Sequence, residues 1–429
     1  MKRSFLYSVV LLLLIVLENL FFFIFYKTGI TNSAVNAVCL TISSVLIGIV
    51  LIMKFYNKQV DTAILVSNKN KTAFCYLLFA LSVLWIGIKT SNILNTIPID
   101  VKMSDIIPTI QVLVKRFFVP HQSPYDRDAL LHLGYNTPST YMPMHWLPYT
   151  IAEYFSFDYR WITFSIWVVS FFIIIHRAIK TLNLTTSFFL TLLFSGAYFL
   201  ITDKYADIIS FTVETMVAGY YVLFISSINF KNAYLHGLAI GICLLSRYTL
   251  ALWLPLWVFI LYVSNNRIHL IKALTASIGF VLIIYVLPFL SKDLTGFYDA
   301  HMVYENSAFW EWHHNNEFGV PYHLFNGVGF AQFFYTAYEK TNLYSGYKLL
   351  RMLMFISLFT SSAILAIWFW FKRTRVDYRI MLMASFKIYL SLFSALIMVP
   401  YNYLMIVGNF VSFAIFAEQL RYKIKPANS

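Results

Sequence analysis

Three ionisable side chains lie where the surrounding sequence is strongly apolar: Glu214, Arg247 and Lys387. A charge in a lipid-embedded segment is costly, so such a residue either serves function or pairs with an opposite charge. We expect Lys387 to face a cavity or to pair with a carboxylate, and Glu214 is one candidate partner. A structural ion pair, or a side chain that extends from a helix end to the membrane surface, is the competing interpretation.

A second group of candidate residues lies in the sequence HMVYENSAFWEWHHNNEFGVPYH, residues 301–323. A helical zinc motif places histidines four residues apart, whereas His313 and His314 are adjacent and cannot both face one ion on a helix. The neighbouring Trp310 and Trp312 favour a platform for a carbohydrate or a pyrophosphate. The alternative is an ordered lid without direct contacts.

The composition indicates that membrane-spanning helices position these residues. The chain has 429 residues, of which 59% are hydrophobic and 12% are charged, whereas soluble domains carry about 25% charged residues. Stretches such as 4–26 reach the roughly 20 apolar residues that cross a bilayer as a helix. Backbone amides in lipid must pair internally. We therefore predict an all-α integral membrane protein with about 12 transmembrane helices.

The distribution of charge predicts the orientation of these helices. We place spans near 5–26, 31–53, 72–92, 159–176, 185–201, 209–229, 233–246, 248–263, 270–290, 347–371, 378–398 and 401–418. The pair 233–246 and 248–263 is ambiguous, since it could form one long helix. Lys and Arg gather in the loops of one side and acids on the other, which is the positive-inside pattern. We expect an inner (plasma) membrane protein with cytoplasmic termini. Topology thus explains the net charge of +13, and we expect no nucleic-acid partner.

Two external segments, 93–158 and 291–346, are long and combine charge, proline and aromatic residues. Loops of this kind are usually functional. In the first, residues 105–118 predict an amphipathic helix on the membrane surface, and 143–157 predict a second one. Ser104 or Asp105 could cap the first helix. Lys115 and Arg116 are interpreted as contacts to lipid headgroups.

The order of motifs in this chain resembles the GT-C superfamily of integral membrane glycosyltransferases. Asp105 begins a surface helix, SPYD follows at 123–126, and YMPMHW occupies 141–146. The last motif is similar to a Pro-Pro-Leu-His stretch of the aminoarabinose-to-lipid-A and protein-mannosyl transferases, although Met142 replaces the first proline. SPYD is similar to the bacterial polyprenyl-phosphate-mannose-dependent mannosyltransferases.

The later sequence extends the resemblance to about residues 72–420. A glycine-rich helix followed by an apolar LPL run, at 237–259, is similar to that family, with Arg247 where the family usually has lysine. We therefore divide the chain into an N-terminal transmembrane hairpin, 1–71, and a GT-C-like transmembrane catalytic domain, 72–429.

The resemblance implies transfer of a sugar, mannose being the commonest in the family, from a polyprenyl-phosphate donor to a lipid-linked or cell-envelope acceptor at the outer face. The attacking hydroxyl must lose a proton, and the resemblance implies Asp105 as its base; helix capping is the alternative role. Arg247 and Lys387 are candidate ligands of the leaving phosphate. Further predicted substrate contacts are Tyr141, His145, Glu214, His313 and His314.

This chemistry requires no cofactor and no metal site, because Arg or Lys can balance a single phosphate, although a divalent cation could supply the same charge. Asp203 and Asp207 are either contacts to such an ion or to an acceptor sugar, or ordinary solvated turn residues. The expected partners are the donor, a lipid-linked or glycan acceptor, and membrane lipids. A transporter or flippase, and an O-antigen polymerase or ligase, remain alternative functions.

Overall fold

The computed structural model describes residues 2–28, 33–62, 69–135, 138–204, 206–315 and 319–424. Within these ranges the chain is predominantly helical. The strands described there are β1 (Val60–Thr62) and β2 (Tyr422–Ile424), which pair antiparallel with Val60 opposite Ile424. The expected helical class is confirmed to this extent.

The helices are, in chain order, α1 Lys2–Thr28, α2 Ser33–Phe55, α3 Lys69–Thr96, α4 Ile106–Phe118, α5 Pro143–Trp146, α6 Thr150–Phe155, α7 Arg160–Thr181, α8 Leu184–Lys204, α9 Ala206–Phe211, α10 Glu214–Ser227, α11 Ala233–Leu244, α12 Leu254–Val263, α13 Arg267–Val281, α14 Gly296–Trp310, α15 Tyr322–Asn326, α16 Ala331–Tyr338, α17 Leu343–Lys372, α18 Tyr378–Ala395 and α19 Met405–Leu420. Short 3₁₀ segments lie at Leu131–Leu133, Leu147–Tyr149, Tyr248–Leu252 and Asn402–Leu404. A π-helical segment, Leu282–Leu290, continues α13.

Seven helical segments in the described part of the chain are long and apolar enough to cross a membrane. They are Phe5–Phe22, Val35–Phe55, Thr72–Thr96, Arg160–Thr181, Arg267–Leu290, Leu343–Lys372 and Asn402–Leu420. Their side chains include many exposed large apolar residues, as expected where lipid covers the surface. These apolar helices support a multi-pass membrane protein, and the count of twelve spans stays a prediction.

The ambiguous segment between Ala233 and Val263 forms two helices. Trp257 in α12 donates a hydrogen bond from its indole to Nε2 of His236 in the first turn of α11, at 3.0 Å. This contact requires α11 and α12 to run antiparallel, with the chain reversing at the 3₁₀ turn that follows Arg247. With 12 and 10 residues, each helix is only about 15–18 Å long, which is short for a bilayer core of about 30 Å.

The N-terminal helices pack on the C-terminal ones, and a buried ion pair joins them. α1 packs on α2 and α19, and α2 packs on α18. Lys387 donates to Glu18 at 2.5 Å and to the carbonyl of Gly408 at 3.1 Å, while Ser412 donates to the other oxygen of Glu18 at 2.6 Å. The suggested pairing of Lys387 with Glu214 is therefore wrong, because the chain brings α1 beside α18. A separate domain at 1–71 stays a sequence-based prediction.

Candidate functional site

The C-terminal end of α3 is held by Arg160, the first residue of α7. Arg160 donates to the carbonyls of Leu94 and Ile97 at 3.0 and 2.7 Å and forms an ion pair with Asp158 at 2.7 Å. These bonds satisfy carbonyls that the end of a helix leaves free. A few residues later, Ser104 donates to the carbonyl of Phe211 at 3.1 Å, at the end of α9. The start of α4 is thereby held beside the break between α9 and α10.

Asp105 occupies the position before α4, but its side chain makes no capping hydrogen bond to that helix. Its Oδ2 instead accepts a hydrogen bond from the hydroxyl of Tyr135 at 2.7 Å. Burial, this hydrogen bond and the charge of Asp105 raise the pKa of Tyr135 to about 12, so the phenol stays a donor. The geometry does not support the capping role and leaves the carboxylate lone pairs for another partner.

The apolar face of α4 is covered by protein. Ile107, Ile110, Leu113 and Val114 are buried, and α4 packs on α5, α6 and the 3₁₀ turn between them. The amphipathic pattern at 105–118 therefore produces a helix packed against the second predicted amphipathic segment. The prediction that this apolar face binds the membrane surface is wrong, because other helices cover the face. The same spacing of apolar residues occurs in helices that pack on protein and in helices that lie on a membrane.

The SPYD turn is held by Arg116. Its guanidinium forms ion pairs with Asp126 and Asp128 at 2.6 and 3.2 Å and donates to the carbonyl of Ser123 at 2.9 Å. The guanidinium is thus used within the fold, which corrects its interpretation as a contact to lipid headgroups. Lys115 is exposed.

The YMPMHW motif lies against the turn that carries Arg247. The amide of Met144 donates to the carbonyl of Leu245 at 2.9 Å, and the hydroxyl of Tyr220 donates to the carbonyl of Met144 at 3.2 Å. Tyr125 of the SPYD turn donates to the carbonyl of Tyr141 at 2.9 Å. SPYD, YMPMHW and the Arg247 turn, three of the four features that carry the sequence resemblance, therefore contact one another.

Arg247 forms an ion pair with Glu214, so the actual partner of Glu214 is Arg247. The guanidinium side chain is 30% exposed and Glu214 only 3%. One nitrogen of Arg247 bonds to Oε1 of Glu214, while a guanidinium has five N–H donors. The other carboxylate oxygen, Oε2, is buried without a hydrogen-bond partner among the described residues. Lys387 is not brought to this pair, since it bonds to Glu18.

The charges of Asp105 and Arg247 both act on Tyr141. Burial raises its pKa, the charge of Asp105 raises it further, and the charge of Arg247 opposes that effect. The ring of Tyr141 lies 5.4 Å from the ring of His145. Burial, and then the charge of Arg247, lowers the pKa of His145 far below its usual value, so this imidazole is neutral. Tyr141 and His145 thus belong to the motif that contacts the Arg247 turn, and the charges of Asp105 and Arg247 both act on Tyr141.

The second long connection contributes α14 and Glu311, one of the acids of residues 301–323. The hydroxyl of Tyr248 and Nδ1 of His301 lie 3.1 Å apart, and Arg127 pairs with Asp299, so α14 is tied to both the Arg247 turn and the first connection. Burial raises the pKa of Glu311, and the charge of Asp105 adds to this rise while His314 opposes it. The carboxylates of Glu311 and Asp105 therefore act on each other electrostatically, and Glu311 belongs to the EWHH stretch of that connection.

The two tryptophans and the histidine pair of this connection have different environments. Trp312 is 0% exposed and donates to the carbonyl of Met398 at 3.0 Å, so it cannot stack on a sugar, whereas Trp310 is 58% exposed. His314 packs on Trp310 at 4.6 Å, and His313 packs on Phe309 at 4.8 Å. Both histidines are exposed.

No group of three or more His, Cys, Asp or Glu side chains among the described residues is arranged to hold a metal ion. Asp207 is half-buried in the first turn of α9. The side chain of Asp203 lies outside the described residues, as does Glu317.

No protein-family model, no curated protein and no solved structure matches this chain, so its family is not shown by comparison.

Proposed function

We propose that this chain is a membrane glycosyltransferase that moves a sugar from a polyprenyl-phosphate donor to a hydroxyl of a lipid-linked or cell-envelope acceptor. The observation that supports the proposal is the contact of the YMPMHW motif with the Arg247 turn, where the amide of Met144 donates to the carbonyl of Leu245 at 2.9 Å; the charges of Asp105 and Arg247 both act on Tyr141 of that motif. A carboxylate and a guanidinium at one site are the two groups that this transfer needs, a base and an anion ligand.

In the proposed reaction the acceptor oxygen bonds to the anomeric carbon while the bond from that carbon to the phosphate oxygen breaks. The acceptor proton passes to Asp105, and the electron pair of the broken bond stays on the lipid phosphate. Arg247 binds that phosphate with the N–H groups that Glu214 does not occupy. Tyr135 positions Asp105 through its hydrogen bond.

The helices around Arg247 offer a place for a lipid chain. An apolar cavity of about 230 Å³ lies between α11, α12 and α13 and is lined by Ile240, Leu244, Leu254, Trp257, Leu274, Ser277, Ile278, Val281 and Leu282. Arg247 lies in the turn that joins α11 to α12. This neighbourhood supports the proposal of a lipid-anchored donor whose phosphate would reach that turn.

The test is sugar transfer by the purified full chain in lipid nanodiscs, with polyprenyl-phosphate mannose as donor and cell-envelope lipid extract as acceptor source. Asp105→Asn should lower the rate about 10²–10⁴-fold, the usual contribution of a general base, while the unfolding temperature is retained. Asp100→Asn is the matched control, because Asp100 is an exposed acid in the same connection and should keep full activity. Undiminished transfer by Asp105→Asn refutes the role of Asp105.

Transport is the second candidate function, and broken helices favour it. The chain interrupts its helices at Thr212–Val213 and again at the Arg247 turn, and discontinuous helices that bind substrate are typical of secondary transporters. Proteoliposomes that accumulate the sugar lipid or free sugar without forming a glycosidic bond would favour this function over transfer.

A further inference from the structure

A polar cavity of about 260 Å³ lies at the opposite end of α12 from the Arg247 turn. It is lined by residues 263–265, where α12 passes into α13, and by residues 373–374 and 376–378, where α17 passes into α18. α12 packs on both α13 and α17, which brings the two turns together. Among the described residues that line this cavity, none is assigned to sugar transfer, so the cavity is a separate feature of the molecule.

The cavity lies where two candidate membrane spans end. The segment Leu343–Lys372 ends directly before one turn, and the segment Arg267–Leu290 begins shortly after the other. Trp370 and Tyr262 are exposed at these ends, and Trp and Tyr are enriched at membrane–water interfaces. In the predicted topology both turns are basic loops of the cytoplasmic side. We therefore expect the cavity to open at the cytoplasmic surface of the bilayer.

The charges in the lining favour an anion. Arg373 donates to the carbonyl of Trp370 at 2.8 Å, and its guanidinium lies 4.8 Å from the centre of the Trp370 ring. These contacts hold the side chain in place, and a guanidinium has further N–H donors. Among the described residues of the lining, Asp377 is the one acid, and it already pairs with Arg379 at 2.7 Å. The lining therefore offers no free carboxylate to compensate the charge of Arg373.

The neighbouring groups favour a phosphate as that anion. A guanidinium can bond to two phosphate oxygens at once, and the exposed side chains of Asn265 and Thr374 can donate further hydrogen bonds. Arg267 is exposed beside the first turn, where its guanidinium lies 4.7 Å from the centre of the Tyr262 ring, and it adds positive charge. Basic pockets between helices on the cytoplasmic side of a membrane bind anionic lipid headgroups.

We infer that this cavity binds the phosphate of an anionic phospholipid of the cytoplasmic leaflet, with Arg373 as the main ligand. A lipid is the source of the phosphate because the cavity adjoins the ends of two candidate spans. Ile364, Ile367 and Phe371 recur at helical spacing and are exposed on α17, so acyl chains can lie along the helix that leads to the cavity. The binding does not depend on the proposed transfer and would hold for a transporter as well.

The experiment is native mass spectrometry of the full chain in detergent, titrated separately with phosphatidylglycerol, phosphatidylcholine and inorganic phosphate. We expect the wild type to bind phosphatidylglycerol about tenfold more tightly than phosphatidylcholine, whose phosphate is balanced by its own ammonium group. Arg373→Gln should weaken phosphatidylglycerol binding about tenfold, the effect of losing one charge-assisted hydrogen bond. Asn265→Gly is a second variant that should weaken it to a smaller extent. Asn265 has a φ of 59°, which glycine adopts readily, so this turn keeps its backbone.

The matched control is Lys231→Gln, which removes one exposed positive charge from another loop of the same predicted side and should bind phosphatidylglycerol like the wild type. Unfolding temperatures establish that the variants are folded. Equal binding of the two lipids by the wild type would overturn the inference, as would unchanged binding in Arg373→Gln. Binding of inorganic phosphate that depends on Arg373, without a preference between the lipids, would overturn the lipid as its source. Sugar transfer is not part of this measurement, so the two proposals can fail independently.

Discussion

At the scale of single residues, the site combines an ion pair with neutral polar groups. The partly exposed Arg247 compensates the charge of the buried Glu214. Removing Arg247 alone would leave the carboxylate buried without a compensating charge, which destabilises a folded protein strongly. His145 stays neutral beside the guanidinium, because burial and that positive charge both disfavour imidazolium. The ion pair and the neutral imidazole therefore define the protonation states of the side chains at this site.

The neutral state of His145 predicts an acid-sensitive fold. Its pKa is lowered in the folded chain, so below pH of about 6.5 the unfolded chain binds a proton that the folded chain does not, and stability falls by up to about 1.4 kcal/mol per pH unit. His145→Gln should show a smaller drop in unfolding temperature between pH 7.5 and 5.5 than the wild type.

Unfolding temperatures of the detergent-solubilised protein measure this effect. His132→Gln is the control, since His132 is exposed in the same connection, and its drop should match the wild type. An equal drop in His145→Gln and the wild type would mean that His145 does not contribute to the acid sensitivity.

At the scale of helices, close backbone contact fixes the hairpin that presents Arg247. A Cβ atom built on Gly237 in α11 would lie 2.1 Å from the carbonyl oxygen of Ala273 in α13. Small residues allow such approach between helices in membranes. The position of the Arg247 turn therefore depends on a glycine far from it along α11.

Gly237→Ala should force α11 away from α13 and lower the unfolding temperature, since overpacking costs about 1–3 kcal/mol, and it should also reduce sugar transfer. Gly279→Ala is a matched control on α13, because a Cβ there would meet no atom within 4 Å. Thermal unfolding followed by size-exclusion fluorescence distinguishes the two variants. Equal stability of both would show that the α11–α13 contact tolerates a methyl group.

At the scale of the whole molecule, the two long connections meet at one end of the helices while the N-terminal helices close against the C-terminal ones. The pair Arg127–Asp299 and the contact of Tyr248 with His301 join the connections. The pair Lys387–Glu18 joins α18 to α1. The candidate site and the assembly of the helices thus use different charged residues.

The positive-inside pattern predicts the sidedness of this arrangement. In a variant with Cys39, Cys75 and Cys243 replaced by serine, a membrane-impermeant maleimide should label Asp100→Cys in intact cells. The same reagent should label Lys231→Cys only after permeabilisation; both positions are exposed. Labelling of both positions from the same side would contradict the predicted topology.

The sequence by itself determined the helical class and the apolar segments, because a long apolar run admits few backbone arrangements other than a helix. The seven helical segments that are long and apolar enough to cross a membrane overlap predicted spans, whereas the count of twelve spans and the layout of the two long connections stay predictions. It also singled out Asp105, Arg247, Glu214, Tyr141 and His145, since polar residues in apolar surroundings and their motifs are visible locally.

Only the tertiary structure decided which of these residues meet. Lys387 pairs with Glu18, which is 369 positions away in the sequence, and Glu214 pairs with Arg247, which is 33 positions away. Helix periodicity predicts which face of a helix is buried, but it does not predict which helix covers that face. For the same reason, the sequence did not predict the electrostatic interaction of Glu311 with Asp105 or the burial of Trp312. It also did not predict that Oδ1 of Asn402 lacks a hydrogen-bond partner among the described residues. Contacts between distant segments depend on how the helices pack, and no local spacing encodes that packing.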